Sequence, residues 1–391
     1  MRNFFGIPRW FCVVAVVLFL VSVSPVSFME GKGGISQNLP LQDTGKKFRI
    51  AYFETRPYVS YAGTFYYVVQ GLKSLGWLEN INELPYKEGQ VDTKEMWNWL
   101  SSHNVGSKIE FVKDGYYSLK DDNVASKELL KRLSQDKDID LIIVMGTVAA
   151  KAIANEQHSV PVMVFSTSNA VQSGIVEQTE TSGNPHIWAH MDPNRYRQQL
   201  EVFYDIFKFK KLGFVYDPSP TGQAFAAVED IKYVAAAEGF TIRGYEIQGT
   251  KNEEDQERFA NDLLALHKKI ASEVDAVYYT VTPSPGLKPE KLEEILTPFY
   301  EQKIPVFSQL GEEVPRGALL SVARPDLSGV GMFGAEQITN VFKGQSIDKL
   351  PQVYVDAPAI AINMEVARKI GYQVPFDILL VADKVYQSVK R

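Results

Sequence analysis

A chain of 391 residues, 45% hydrophobic and 23% charged, can bury one large core or two ordinary ones. A formal charge of -6 excludes the basic face that a nucleic-acid backbone requires of its partner. The single cysteine, Cys12, lies in the N-terminal apolar stretch, so thiol catalysis, cysteine metal sites and intrachain disulfides are excluded for everything that follows.

Residues 1–28 read as an export signal, with Arg2 and Arg9 ahead of the apolar run Trp10 to Val23 and small residues at Ser22, Ser24 and Ser27. An uncleaved membrane anchor is the alternative. Residues 29–47 are polar, Gly-rich and aperiodic, as expected of a flexible tether.

Phe48 to Phe53 is the first expected strand, ending in Glu54, Thr55, Arg56, Pro57 and Tyr58, and a helix is expected from about Phe65 to Leu75. Arg56 could clamp a carboxylate through two parallel hydrogen bonds, or could simply pair with Glu54 or solvent. The segment from Leu78 to Ser107 fits the strand and helix alternation poorly. It reads as an insertion with a helix near Thr93 to Leu100, either a lid at a cleft or a cover over apolar surface. Lys108 to Lys113 is the second strand, and Lys127 to Leu133 the helix after it.

The most informative stretch runs from Asp140 to Gly174. Leu141 to Met145 is an unbroken apolar run, as expected of a strand buried on both faces of a parallel sheet, and Val148 to Ala154 is Ala-rich and helix-favouring. Gly146 and Thr147 therefore occupy a strand-to-helix turn, where backbone N–H groups without intrahelical partners can hold an anion. A helix of this kind also simply needs a cap, and Thr147 would serve. The next run, Val160 to Phe165, ends in Ser166, Thr167, Ser168 and Asn169. Two adjacent strand ends thus present hydroxyls and amides where open α/β sheets bind small ligands.

Beyond Gly174 the alternation restarts. A helix from Pro193 to Phe207, with Asp192 as its cap, precedes a strand from Lys211 to Tyr216 that closes in Asp217, Pro218, Ser219, Pro220, Thr221 and Gly222. A helix from Gln223 to Gly239, a strand from Thr241 to Ile247, a helix from Glu253 to Ile270 and a strand from Val274 to Val281 follow. A last helix, Pro289 to Gln302, leads into the strand Ile304 to Ser308. Two α/β sheets, each doubly wound, are the economical fold. The histidines His103, His158, His186, His190 and His267 lack metal-ligand spacing, and no cofactor motif is present.

Gly146-Thr147-Val148-Ala149-Ala150, Ser173-Gly174-Ile175-Val176, Val215 to Ser219, Ile304 to Ser308, Arg316 to Leu319 and the C-terminal run Ala361 to Pro375 occur in an order and spacing that resemble the ABC-transporter substrate-binding family related to tryptophan-binding proteins. The resemblance implies a type I periplasmic-binding-protein fold, with two Rossmann-like lobes joined by a crossover hinge and a small ligand held between them. It places the first lobe at 48–169 with 326–349, the second at 170–325 with 350–391, and crossovers near Asn169 to Gly174, Ala323 to Asp326 and Leu350. Residues Asp326 to Gly344 would form a helix packed back on the first lobe. Binding residues must then come from both halves: Arg56, Tyr58, Gly146, Thr147, Thr167 and Asn169 from the first, and Asp217, Ser219, Thr221, Thr282 and Gln309 from the second. Tyr58 would wall the ligand, Thr147 and neighbouring amides would take an anion, and Asp217 or Asn169 would address a polar or cationic group. Trp188 and His190 would line the far wall or serve packing.

The chain departs from the family pattern at Asn169-Ala170, where an Asp-Pro pair is usual, and at Thr282-Pro283, where an Asp-Asn pair is frequent. If those acids hold an amino group in relatives, either the ligand here is not an α-amino acid or Glu54 or Asp217 substitutes for them. The implied role is an exported, monomeric and non-enzymatic receptor that passes a small carboxylated compound, aromatic or amino-acid-like, to an ABC permease with its ATPase. The alternatives are a sensor module reporting to a separate membrane partner and an exported α/β enzyme. The enzyme is disfavoured by the lack of a Gly-x-Ser-x-Gly elbow, a phosphate-binding loop, a dinucleotide fingerprint and a zinc motif.

Overall fold

Leu141–Met145 (β3) is buried at every position, as its apolar run requires, and it is the central strand of a five-stranded sheet in the order β2-β1-β3-β4-β5. In this computed structural model the described residues are 46–119, 124–249, 255–282, 289–323, 326–355 and 357–390. The expected export signal and nearly all of the tether lie outside them. Phe48–Glu54 (β1), Ile109–Ser118 (β2), Val162–Phe165 (β4) and Ile187–Ala189 (β5) complete the sheet, and every pairing in it is parallel. The parallel crossovers put apolar cover on both faces, which is why these strands read as continuous apolar runs.

The second sheet has seven strands. Lys211–Tyr216 (β6), Thr241–Glu246 (β7), Ala276–Tyr279 (β8), Val306–Ser308 (β9) and Leu320–Ala323 (β10) are parallel. Ala359–Asn363 (β11) joins antiparallel to β10, and Ala382–Tyr386 (β12) closes the edge, in the order β12-β11-β10-β9-β8-β6-β7. The two sheets share one topological device. In the first the order reverses between β1 and β3, and in the second between β6 and β8, and each reversal opens a crevice at the carboxyl ends of the strands.

The course of the chain out of the first sheet corrects the expected first crossover. The chain does not leave the first sheet at Asn169 to Gly174, because β5 adds a further parallel strand beside β4. It leaves after Ala189, where Met191 bridges Val353 of a returning segment. The fully buried Gln352 fastens this junction: its side-chain oxygen accepts from the Ala189 amide at 3.0 Å, and its nitrogen donates to the carbonyls of Gln178 and Thr179. Trp188 donates to the Pro351 carbonyl at 2.8 Å and packs on Phe165, while His190 contacts the Tyr354 carbonyl. Both therefore serve packing at the hinge and do not line a far wall.

Helix α1 (Val59–Ser74) begins well before the expected Phe65, directly after the β1 end. The helix expected at Asp326 to Gly344 is Ser328–Phe342, and it lies against α1. The approach is close enough that a methyl on Gly331 would sit 2.3 Å from Tyr67 Cβ, so glycine is what lets the two helices meet.

The insertion is a cover and not a lid. Its helix α2 (Lys94–Ser102) buries Met96, Trp97 and Leu100, and Trp97 contacts Tyr52, Phe65 and Phe111 while donating to the Val112 carbonyl at 3.1 Å. The single helix expected over Gln223 to Gly239 is two, Pro220–Phe225 and Val228–Glu238, broken at Ala227 with φ of 53°. Arg195–Phe207 starts later than expected, with Asn194 and not Asp192 at its N-cap position. Among the described residues no helix is long and apolar enough to cross a membrane.

Candidate functional site

At the first lobe's crevice, α4 (Thr147–Ile153), which follows α3 (Val124–Gln135) in the chain, starts directly after β3, with Gly146 at its N-cap position. Thr147 is therefore the first helical residue, and it is buried. Gly146 adopts φ of 91°, and a methyl placed on it would lie 2.0 Å from the Tyr61 hydroxyl, so both its conformation and its surroundings demand glycine. Thr55, at the end of β1, supplies the missing cap from a neighbouring strand: its Oγ1 accepts from the Ala149 amide at 3.1 Å. Part of the anion-holding capacity expected of this turn is thus already committed to Thr55.

Tyr61 hydrogen-bonds the same Thr55, and burial pushes its hydroxyl up to about 12, against the opposing effects of that bond and of the Arg56 charge. Arg56 itself is exposed at the rim. Thr167 and Asn169 follow β4, the strand beside β3, and both are partly buried. Asn169 Oδ1 accepts from the Gln172 amide at 2.9 Å, which shapes its own turn. The first-lobe residues Arg56, Tyr58, Gly146, Thr147, Thr167 and Asn169 are therefore gathered at the carboxyl ends of β1, β3 and β4.

The second lobe distributes its expected residues differently. Asp217, Ser219 and Thr221 form one turn after β6. Both Asp217 oxygens are occupied, accepting from the Ser219 amide at 2.9 Å and the Gly249 amide at 3.0 Å. Burial raises its pKa, but these bonds and the Ser219 hydroxyl outweigh it and leave the carboxyl below its ordinary value. Ser219 caps its helix by accepting from the Gly222 amide at 3.1 Å. Gln309 is fully buried: its side chain accepts from the Val281 amide at 2.7 Å and donates to the Phe225 carbonyl at 2.9 Å. Asp217, Ser219 and Gln309 thus each hold the backbone around them in place. Thr282 stays at the end of β8, beside a cavity of about 20 Å³ that also touches His267, Tyr279 and Thr280.

Glu54 is likewise taken up by its own lobe. It is fully buried, and its two oxygens accept from Tyr52 at 2.9 Å and Tyr116 at 2.7 Å. Burial raises its pKa more than these bonds lower it.

What sequence reasoning missed is the turn after β9. Glu312 Oε1 accepts from the Tyr58 hydroxyl at 3.0 Å, a bond from one lobe to the other across the cleft. Its neighbour Glu313 accepts from Ser308, which in turn accepts from the Gly311 amide at 2.7 Å. Burial raises the pKa of both carboxyls, against the Tyr58 and Ser308 bonds and the Arg316 charge. The signal was available, since these acids stand at the carboxyl end of a second-lobe strand, the same criterion that selected Thr282. A larger hollow of about 570 Å³ lies elsewhere, between β7 and the helix Gln256–Ile270, lined by Glu246, Arg258, Asp262 and Lys269.

Comparison with known proteins agrees with this architecture. A curated tyrosine-binding protein of Clostridioides difficile is 21% identical over 263 residues, which is 67% of this chain and 71% of that protein. An ABC domain solved in complex with L-Trp from Streptococcus pneumonia is 18% identical with a TM-score of 0.64, covering 87% of this chain and 100% of the other. A ligand-free, open substrate-binding protein with adhesive properties from Clostridium difficile is 19% identical with a TM-score of 0.61, covering 87% and 99%. These likenesses show a shared fold. The family model described as ABC transporter substrate binding protein matches residues 104–386, more than half of the chain, and the chain belongs to that family.

Proposed function

We propose that this chain is the exported receptor of an ABC importer, and that it encloses a small carboxylated ligand of the aromatic amino-acid class between its lobes. The observation that supports the reading is the Tyr58–Glu312 bond, which brings a side chain of each lobe into direct contact at the strand ends. A ligand touching both lobes biases them toward closure by as much as its differential contacts allow. The tyrosine and tryptophan named for two of the similar proteins agree with the aromatic wall that Tyr58 and Tyr61 build here, their rings edge to face at 5.2 Å. First-lobe recognition falls to Arg56, Thr147 and the neighbouring amides, with Thr167 and Asn169 beside them. Thr221 and Thr282 flank the second-lobe side.

A thermal-shift screen over amino acids, aromatic acids and other small acids tests this. A true ligand at a hundredfold over its Kd adds about 2.7 kcal/mol of stability. No shift with any aromatic amino acid, or turnover of a screened compound by the pure protein, would count against the reading.

A further inference from the structure

We infer that the Tyr58–Glu312 bond is a latch: it holds the two lobes together when no ligand is bound, and it has to open before a ligand enters. Its place in the binding cycle rests on the reading above of the cleft as the ligand site.

Each partner is anchored in its own lobe. Tyr58 stands at the N-cap position of α1, where its carbonyl accepts from the Tyr61 and Ala62 amides at 3.0 and 3.2 Å. Its ring packs edge to face on Tyr61, which Thr55 holds in turn. Glu312 lies in a turn braced by Ser308, which accepts from the Gly311 amide and donates to Glu313, and closed by a short 3-10 helix that sinks Val314 into the second core. The hydroxyl and the carboxylate are what the two anchored turns share, at 3.0 Å. A phenol donating to a carboxylate is a charge-assisted bond, and both residues are partly buried, so water competes poorly for it.

The position of this bond separates it from the links at the hinge. The bonds from Gln352 to Ala189 and from Trp188 to Pro351 lie where the chain passes between the lobes, so a rotation of the lobes need not stretch them. Tyr58 follows β1, which is three strands from β5 and therefore roughly 14 Å from that hinge. Over such an arm a rotation of about 15° adds roughly 4 Å, more than any hydrogen bond spans. Opening therefore breaks the bond, and the bond lowers the fraction of protein able to admit a ligand.

The test reads the interlobe distance in the ligand-free protein by electron–electron double resonance. Spin labels go on Glu95→Cys in the first lobe and Ala236→Cys in the second, both exposed, in the full chain with Cys12→Ser so that no other thiol is labelled. Tyr58→Phe keeps the ring and removes the hydroxyl, and it should shift the ratio of open to closed protein about tenfold toward open, the scale of one bond to a charged group. Glu312→Ala should do the same from the other side, and the double variant should be no more open than either single one. Stopped-flow association of L-tyrosine should also be severalfold faster with Tyr58→Phe than with the parent. A parent that is already open, a distribution that Tyr58→Phe leaves unchanged, additive effects in the double variant, or an association rate that does not rise would overturn the latch. The distances are read without ligand, so failure of L-tyrosine to bind parent and variant alike would count against the ligand reading, while the distances still decide the latch.

Discussion

The two lobes repeat one strand order, 2-1-3-4-5 in the first and 7-6-8-9-10 in the second, yet their crevices are finished in opposite ways. In the first, β1 and β3 end in Thr55, Arg56, Gly146 and Thr147 around a helix start. In the second, the equivalent place between β6 and β8 is consumed by structure. Asp217 is tied to amides, Thr280 donates to the Val215 carbonyl, and Gln309 is stitched to Phe225 and Val281. The second lobe therefore reaches the cleft from one strand further along, through the turn holding Glu312. Shared topology fixes where a site can be, and the loops decide which strand end supplies it.

Breaking the second-lobe stitching should have the largest effect. Gln309→Ala leaves the Phe225 carbonyl and the Val281 amide without their side-chain partner and opens a void, an expected loss of about 4 kcal/mol by denaturant unfolding. A loss under about 1 kcal/mol would show that Gln309 is not a staple.

Next comes the buried imidazole beneath that lobe's crevice. Desolvation depresses the pKa of His267 from 6.5 to about 4, although its ring bonds the Ile295 carbonyl at 2.9 Å. The unfolded chain takes up the proton as pH falls below 6.5 and the native state resists it until about 4, so this group's contribution is lost on acidification across that interval. The stability gap between the protein and His267→Leu should narrow by about 3 kcal/mol between neutral and that lower pH. Glu54, Glu312 and Glu313, with raised values, act in the opposite sense, losing stability as pH rises, which is why the comparison with His267→Leu and not the raw profile is needed. A gap that does not change with pH contradicts the assignment.

The first-lobe crevice is more sensitive to shape. Gly146→Ala forces a methyl onto the Tyr61 hydroxyl at a φ that alanine resists, for about 2 kcal/mol of stability and a displaced Tyr61. Smaller still, Arg56→Ala and Thr147→Val should each weaken an anionic ligand by about 1 kcal/mol, several-fold in Kd, while melting near the parent temperature. Unchanged affinity in both would remove the anion site from this lobe.

How much of this was legible in the sequence follows from the same contrast. The β3 run Leu141–Met145 and the β6 run Lys211–Tyr216 were readable because buried parallel strands must be apolar throughout. The break at Ala227 was not, since alanine carries no mark of a positive φ. Nor was β5, whose Ile187–Ala189 is too short to show a period, and that alone displaced the expected crossover. Helix-start glycine at 146 was visible as a motif, whereas Glu312-Glu313 belongs to no motif and was passed over. The expected strand Ile304 to Ser308 marked their place at a strand end, and pairing of β9 with β8 and β10 sets that end beside the crevice. Asp217 and Gln309 were chosen as polar residues at strand ends, and sequence does not tell a polar side chain that faces a ligand from one that repairs its own backbone.

The most direct measurement is a crystal structure of the protein soaked or co-purified with L-tyrosine or L-tryptophan. The amino acid is expected between Tyr58 and Glu312, its carboxylate toward Arg56 and Thr147. An amino acid seated instead in the hollow between β7 and the helix Gln256–Ile270, with the interlobe space unaltered, would contradict it.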